Sequence, residues 1–217
     1  MNEALLRNSL NNNAETIAFV IILILLVIAK LSNENRFNHY ISLFYSNKYL
    51  KIYGKEQDLV LTQFNILLFI VQIACYSVVT FQAIHIFNIP IHLNVYLIFT
   101  FLFLFILIKF YVEKTIATIF NITTFTERFH FNKISFRNLS TIYLLPFVAL
   151  LIYSDLNKKI VLFIIIGLFI VFNAIGIGVT FRYYQKFIGN NMFYFILYLC
   201  ALEIAPYLII GKLITNK

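Results

Sequence analysis

A chain of 217 residues that is 61% hydrophobic and only 12% charged lies outside the range of water-soluble domains, which average about 45–50% apolar and about 25% charged residues. Several stretches have no polar residue at the helical or strand period for about 20 residues, so no water-facing side can be drawn on them, and a soluble fold is excluded. The net charge of +8, from 17 Lys and Arg against 9 Asp and Glu, sits in short loops between apolar runs, which points to lipid rather than nucleic acid as the partner.

The first 15 residues are polar and Asn-rich, unlike the basic start of a signal peptide, and no Ala-x-Ala-type cleavage site follows. The first apolar run, 16–31, therefore reads as a retained helix. Five more runs follow at 59–85, 90–111, 139–154, 160–181 and 192–213. The expectation is an all-α, polytopic bundle of about six transmembrane helices forming a single integral membrane domain over 1–217. The two cysteines, Cys75 and Cys200, each fall inside an apolar run, so a disulfide framework is not expected.

Between the first two runs lie Lys30, Arg36, Lys48, Lys51 and Lys55. Phe37, Tyr40, Ile41 and Phe44 recur there at helical spacing, the pattern of an amphipathic interfacial helix. The second run carries Asn65, Gln72 and Tyr76 near one face and Cys75, Gln82 and His85 on another. Amides at membrane depth mostly tie helices together. His85 and His92 flank the turn at Pro90 and are weak candidates for a metal. No third ligand accompanies them, so no metal and no other cofactor is expected.

At the end of the third run, Lys109 and Glu113 are one turn apart, the arrangement of a snorkelling lysine with an i,i+4 partner. Lys114, Arg128, Lys133 and Arg137 follow, and Ile116, Ile119 and Phe120 give either a second interfacial helix or a continuation of the third. The fourth run is short and contains Pro146, so it reads as a kinked span or a re-entrant segment. The two Lys- and Arg-rich loops belong on the cytoplasmic side. The turn from His85 to Pro90 has neither residue, and both termini are then periplasmic. Lys158 and Lys159 run against this arrangement, and Arg182 and Lys186 agree with it.

The fifth run carries Gly167, Ala174 and Gly178 along one side and Asn173, Gly176 and Thr180 along the next. Small residues at four-residue spacing allow close approach of another helix, from this chain or from a partner subunit. In the sixth run Glu203 stands mid-span with Cys200 and Tyr207 one turn either side, and Pro206 leaves the Leu202 carbonyl without its usual donor. A carboxylate at that depth costs about 2.5 kcal/mol or more. Three roles are open to it: a protonated acid bonded to Asn173 or Gln72, a site for a proton or cation, or a contact between subunits.

His-Glu-x-x-His, P-loop, Gly-x-Ser-x-Gly and Gly-x-Gly-x-x-Gly motifs are all absent from the sequence, and no catalytic residue is assigned. The stretch from Tyr198 to Pro206, the pair Arg137–Asn138 and the run Tyr143-Leu144-Leu145-Pro146 resemble a family of small multi-span inner-membrane proteins of Bacteroidota, classed as a domain of unknown function. The resemblance covers nearly the whole chain and is most specific over Cys200 to Pro206. It implies location and topology, and no activity. The reading is a non-catalytic subunit or accessory factor of a cell-envelope complex of the export or gliding type, with another membrane protein as partner. A small proton- or ion-coupled transporter using Glu203 is the alternative, and a membrane-embedded enzyme the third.

Overall fold

The computed structural model describes residues 13–46, 48–54, 62–90, 93–119, 123–154 and 156–190. Among these residues the regular structure is helical, with no strand: α1 (Asn13–Ser32), α2 (Glu34–Ile41), α3 (Lys48–Tyr53), α4 (Gln63–Ile86), α5 (Val95–Ile119), α6 (Thr123–Tyr153) and α7 (Lys158–Asn190). A single 3-10 turn, Ser42–Phe44, follows α2. The five helices α1, α4, α5, α6 and α7 are each long and apolar enough to cross a membrane. A bilayer offers the backbone no hydrogen bonds, so a spanning segment must satisfy its own, and the helix does this residue by residue.

Hydroxyls inside these helices obey the same rule. Ser77, Ser140, Thr141 and Thr180 each donate to the carbonyl four residues back, at 2.7, 2.7, 3.1 and 2.8 Å respectively. Helix α4 ends on Asn88, which takes a left-handed φ of 50°. That turn lets the Ile89 N–H bond the Ile84 carbonyl at 3.1 Å, and Pro90 then blocks any continuation.

Helix α4 is central, packing against α1, α5, α6 and α7, and α6 packs along α7. One apolar core joins α1, α4, α6 and α7 through Ile22, Val71, Val78, Val148 and Leu162. A second core lies where α4 and α6 meet the short helices α2 and α3, and includes Tyr40, Tyr49, Phe64, Phe131 and Phe136.

The segment after α1 is helical, as its periodicity implies. Its apolar side is turned into the protein: Phe37, Tyr40 and Leu43 are buried, while Ile41 and Tyr45 are exposed. The reason is aromatic packing. Tyr40 meets Phe64 edge-on at 5.6 Å, and Tyr49 stacks on Phe131 at 5.7 Å. The Arg36 guanidinium lies 4.6 Å from the Tyr53 ring centre, a cation–π contact that holds α2 to α3. Asn33 caps α2 by accepting the Arg36 N–H at 3.1 Å.

Tyr40 donates to the Ser135 carbonyl at 2.8 Å across 95 residues of sequence. Burial pushes its phenol well above the ordinary value, so it remains a donor throughout the accessible pH range. Tyr40→Phe is expected to cost about 1 kcal/mol. That corresponds to a melting temperature lowered by about 3 °C for a chain of this size, measurable by thermal denaturation in detergent.

The apolar run 139–154 is the second half of a longer helix. Helix α6 begins at Thr123 and runs without a break through Pro146 to Tyr153, and 31 residues at about 1.5 Å each exceed the thickness of the hydrocarbon layer. Its polar first half is ordered because its side chains face protein: Thr126, Asn132, Ser135 and Asn138 are buried. Likewise α5 continues through Ile116 to Ile119, so this stretch extends the third apolar run.

Candidate functional site

Helices α5 and α6 are joined by a short connection, which sets the end of one against the start of the other. On α5, Lys109 and Glu113 lie one turn apart. On α6, His130, Lys133 and Arg137 fall at i, i+3 and i+7, one helical face. These two faces meet. His130 Nε2 stands 2.8 Å from Glu113 Oε2, and Lys109 Nζ 3.8 Å from Glu113 Oε1. Glu113 is only 2% exposed; its Oε2 is paired with His130, while its buried Oε1 makes no hydrogen bond and lies near the Lys109 ammonium. Phe110 packs edge-on against the His130 ring at 5.9 Å.

These side chains close one end of a half-open pocket of about 280 Å³ between α4, α5 and α6. Its polar end holds Lys109, Glu113, His130, Lys133 and Arg137, with Asn65 contributed by α4. Its walls are apolar, formed by Phe69, Ile70, Phe103, Leu107 and their neighbours. Asn65 is held from behind by the Tyr49 hydroxyl, which donates to its Oδ1 at 3.2 Å. The α2–α3 segment thus buttresses the site through α4 and through Phe131 on α6. The Nε of Arg137 is buried and makes no hydrogen bond.

Among the described residues the lining contains one carboxylate and one imidazole, already facing each other, and no Ser, Thr or Cys. Three basic side chains against one carboxylate, at the end of an apolar cavity, suit the holding of a negative group. Among the described residues no cluster of three His, Cys, Asp or Glu is placed to bind a metal.

Of the residues singled out from sequence, Asn65, Lys109 and Glu113 line this pocket. Gln72 is fully buried in α4, and the Asn173 amide donates to its own helix, to the Phe169 carbonyl at 2.7 Å. Glu203, Cys200, Pro206 and Tyr207 lie outside the described residues, as does His92. His85 packs its ring on Phe81 at 4.6 Å, and Gln82 donates to the buried carboxylate of Glu15 on α1. On α7, Gly176 meets the neighbouring helix at Phe136, whereas Gly167 and Gly178 face open space and Ala174 is exposed.

The i,i+4 pairing of Lys109 with Glu113 expected from sequence is present at 3.8 Å, whereas Lys133 and Arg137 read there as loop residues. The signal it passed over is the helical spacing of His130, Lys133 and Arg137, which continues in register into the apolar run that follows.

Among the described residues, five helices long and apolar enough to span a bilayer fit a multi-pass membrane protein. Residues 16–214 match the family described as Domain of unknown function (DUF4271), and the chain belongs to that family. No curated protein and no solved structure matches it.

Proposed function

We propose that this protein is a non-catalytic membrane protein that holds an anionic amphiphile in the pocket between α4, α5 and α6. The observation that carries the reading is the division of that pocket into a basic end and apolar walls. Such a division matches a molecule with a charged head and a hydrocarbon body. The distribution of Lys and Arg supports a place in a bacterial inner membrane with both termini periplasmic, which puts the basic end at the cytoplasmic boundary. There the first layer of lipid headgroups meets the protein. An accessory role in a cell-envelope complex is consistent with a chain that has so little mass outside its apolar helices.

The test fills the cavity. Phe103 and Leu107 face it from α5, and Leu107→Trp combined with Ile70→Phe removes much of its volume without touching a charge. Native mass spectrometry of the purified wild-type chain is expected to show a retained lipid-like adduct, and the filled variant is expected to lose it. An equal adduct load on both proteins would sink the proposal.

A further inference from the structure

We infer that the head bound in this pocket is a phosphate monoester carried on a membrane lipid. The inference rests on the amphiphile reading above and adds the chemistry of the headgroup. Lys109, Lys133 and Arg137 line the same end of the cavity with Glu113 as the one carboxylate among the described residues, so the formal charges of the lysines, the arginine and the carboxylate leave an excess of two positive charges. A phosphate monoester carries about −1.5 to −2 at neutral pH and balances that excess. A fatty-acid carboxylate balances half of it, and a zwitterionic phosphodiester brings a cation of its own into a site that already holds three.

Geometry agrees with charge. Arginine presents a planar fork that binds phosphate through two parallel N–H groups, whereas lysine acts as a point charge. Arg137 supplies the fork, with its buried Nε making no hydrogen bond, and the lysines of α5 and α6 supply the point charges.

Size argues for a lipid whose chain leaves the pocket. A cavity of about 280 Å³ holds roughly nine water-sized groups at about 30 Å³ each, enough for the phosphate and the first few carbons. Ile66 and Tyr111 line the pocket and are 41% and 64% exposed, which places them at its mouth. From Tyr111 an exposed apolar stripe runs back along α5 through Ile108, Leu104, Phe101 and Leu97. This stripe follows the helical period and gives the emerging chain an apolar path at bilayer depth. The apolar walls also separate this site from one for free inorganic phosphate, which would gain nothing from them.

The experiment uses the full chain, stripped of lipid in detergent, and compares an alkyl phosphate, an alkyl carboxylate and an alkyl phosphocholine of equal chain length with inorganic phosphate. The alkyl phosphate is expected to bind about tenfold or more tightly than either other amphiphile, a difference of about 1.4 kcal/mol, and inorganic phosphate not measurably. Arg137→Gln is expected to abolish this preference while leaving the weak binding of the carboxylate. If that variant does not fold, Lys109→Gln makes the same comparison. Equal binding of the carboxylate or the phosphocholine would overturn the phosphate assignment and leave the amphiphile reading standing. Binding of inorganic phosphate as tight as that of the alkyl phosphate would overturn the lipid assignment. Failure of all amphiphiles to bind would remove both readings.

Discussion

Gly176→Val is expected to destabilise the protein by about 3 kcal/mol, at the upper end of the range for overpacking a closed core, whereas Gly167→Val and Gly178→Val are expected to leave stability nearly unchanged. A Cβ built on Gly176 falls 2.7 Å from the Phe136 Cβ and 3.0 Å from its Cγ. Those atoms lie next to the α6 backbone and cannot swing away as the end of a long side chain would. Helices α6 and α7 must therefore separate. At Gly167 and Gly178 the same construction meets nothing within 4 Å. Replacing glycine in a helix also relieves a propensity deficit of up to about 1 kcal/mol, which works in favour of all three variants and so makes the contrast cleaner. Thermal denaturation in detergent should show a fall of about 10 °C for Gly176→Val alone. Equal melting temperatures for the three would mean that α6 and α7 do not pack in this register.

That contrast also marks where the sequence stops being readable. The apolar runs announce helices because lipid tolerates no other open-ended spanning structure, and the all-α bundle follows from them. Which side of each helix meets protein does not follow. Hydrocarbon and protein interior are equally apolar, so Gly167, Gly176 and Gly178 look alike on a helical projection although only one is in contact.

The polar stretch before the fourth apolar run fails in the opposite direction. Lys133 and Arg137 read as loop charges when water is taken to be their solvent, yet with His130 they share a pocket with Glu113, Phe110 and Asn65 from two other helices. The same holds for Phe37 and Tyr40: their spacing is that of an amphipathic helix, and spacing alone cannot say whether lipid or Phe64 covers the apolar side. The site was illegible for this reason. It is assembled from α4, α5 and α6, and Glu113 has one partner a single turn away and another on the next helix.

Glu113→Gln is expected to lower stability by about 3 kcal/mol, the low end for removing one partner of a buried ionic group, and at the same time to strengthen the binding of an anionic amphiphile. Among the described residues Glu113 is the one carboxylate lining a pocket that also holds Lys109, Lys133 and Arg137, and it faces His130 at 2.8 Å. Without it the basic groups are left to repel one another in an apolar setting, which destabilises the empty protein. The vacated position is then filled best by a ligand that brings negative charge. Because a ligand stabilises the folded state by RT ln(1 + [L]/Kd), the rise in melting temperature produced by an alkyl phosphate should be larger in the variant than in the wild type. Adding Lys109→Gln should restore part of the lost stability, since it removes the cation 3.8 Å away that Glu113 had balanced, and should reduce the enhanced response to ligand. A Glu113→Gln protein with a smaller ligand response than wild type would show instead that the carboxylate itself holds the ligand, and the charge-balance account of the pocket would have to be abandoned.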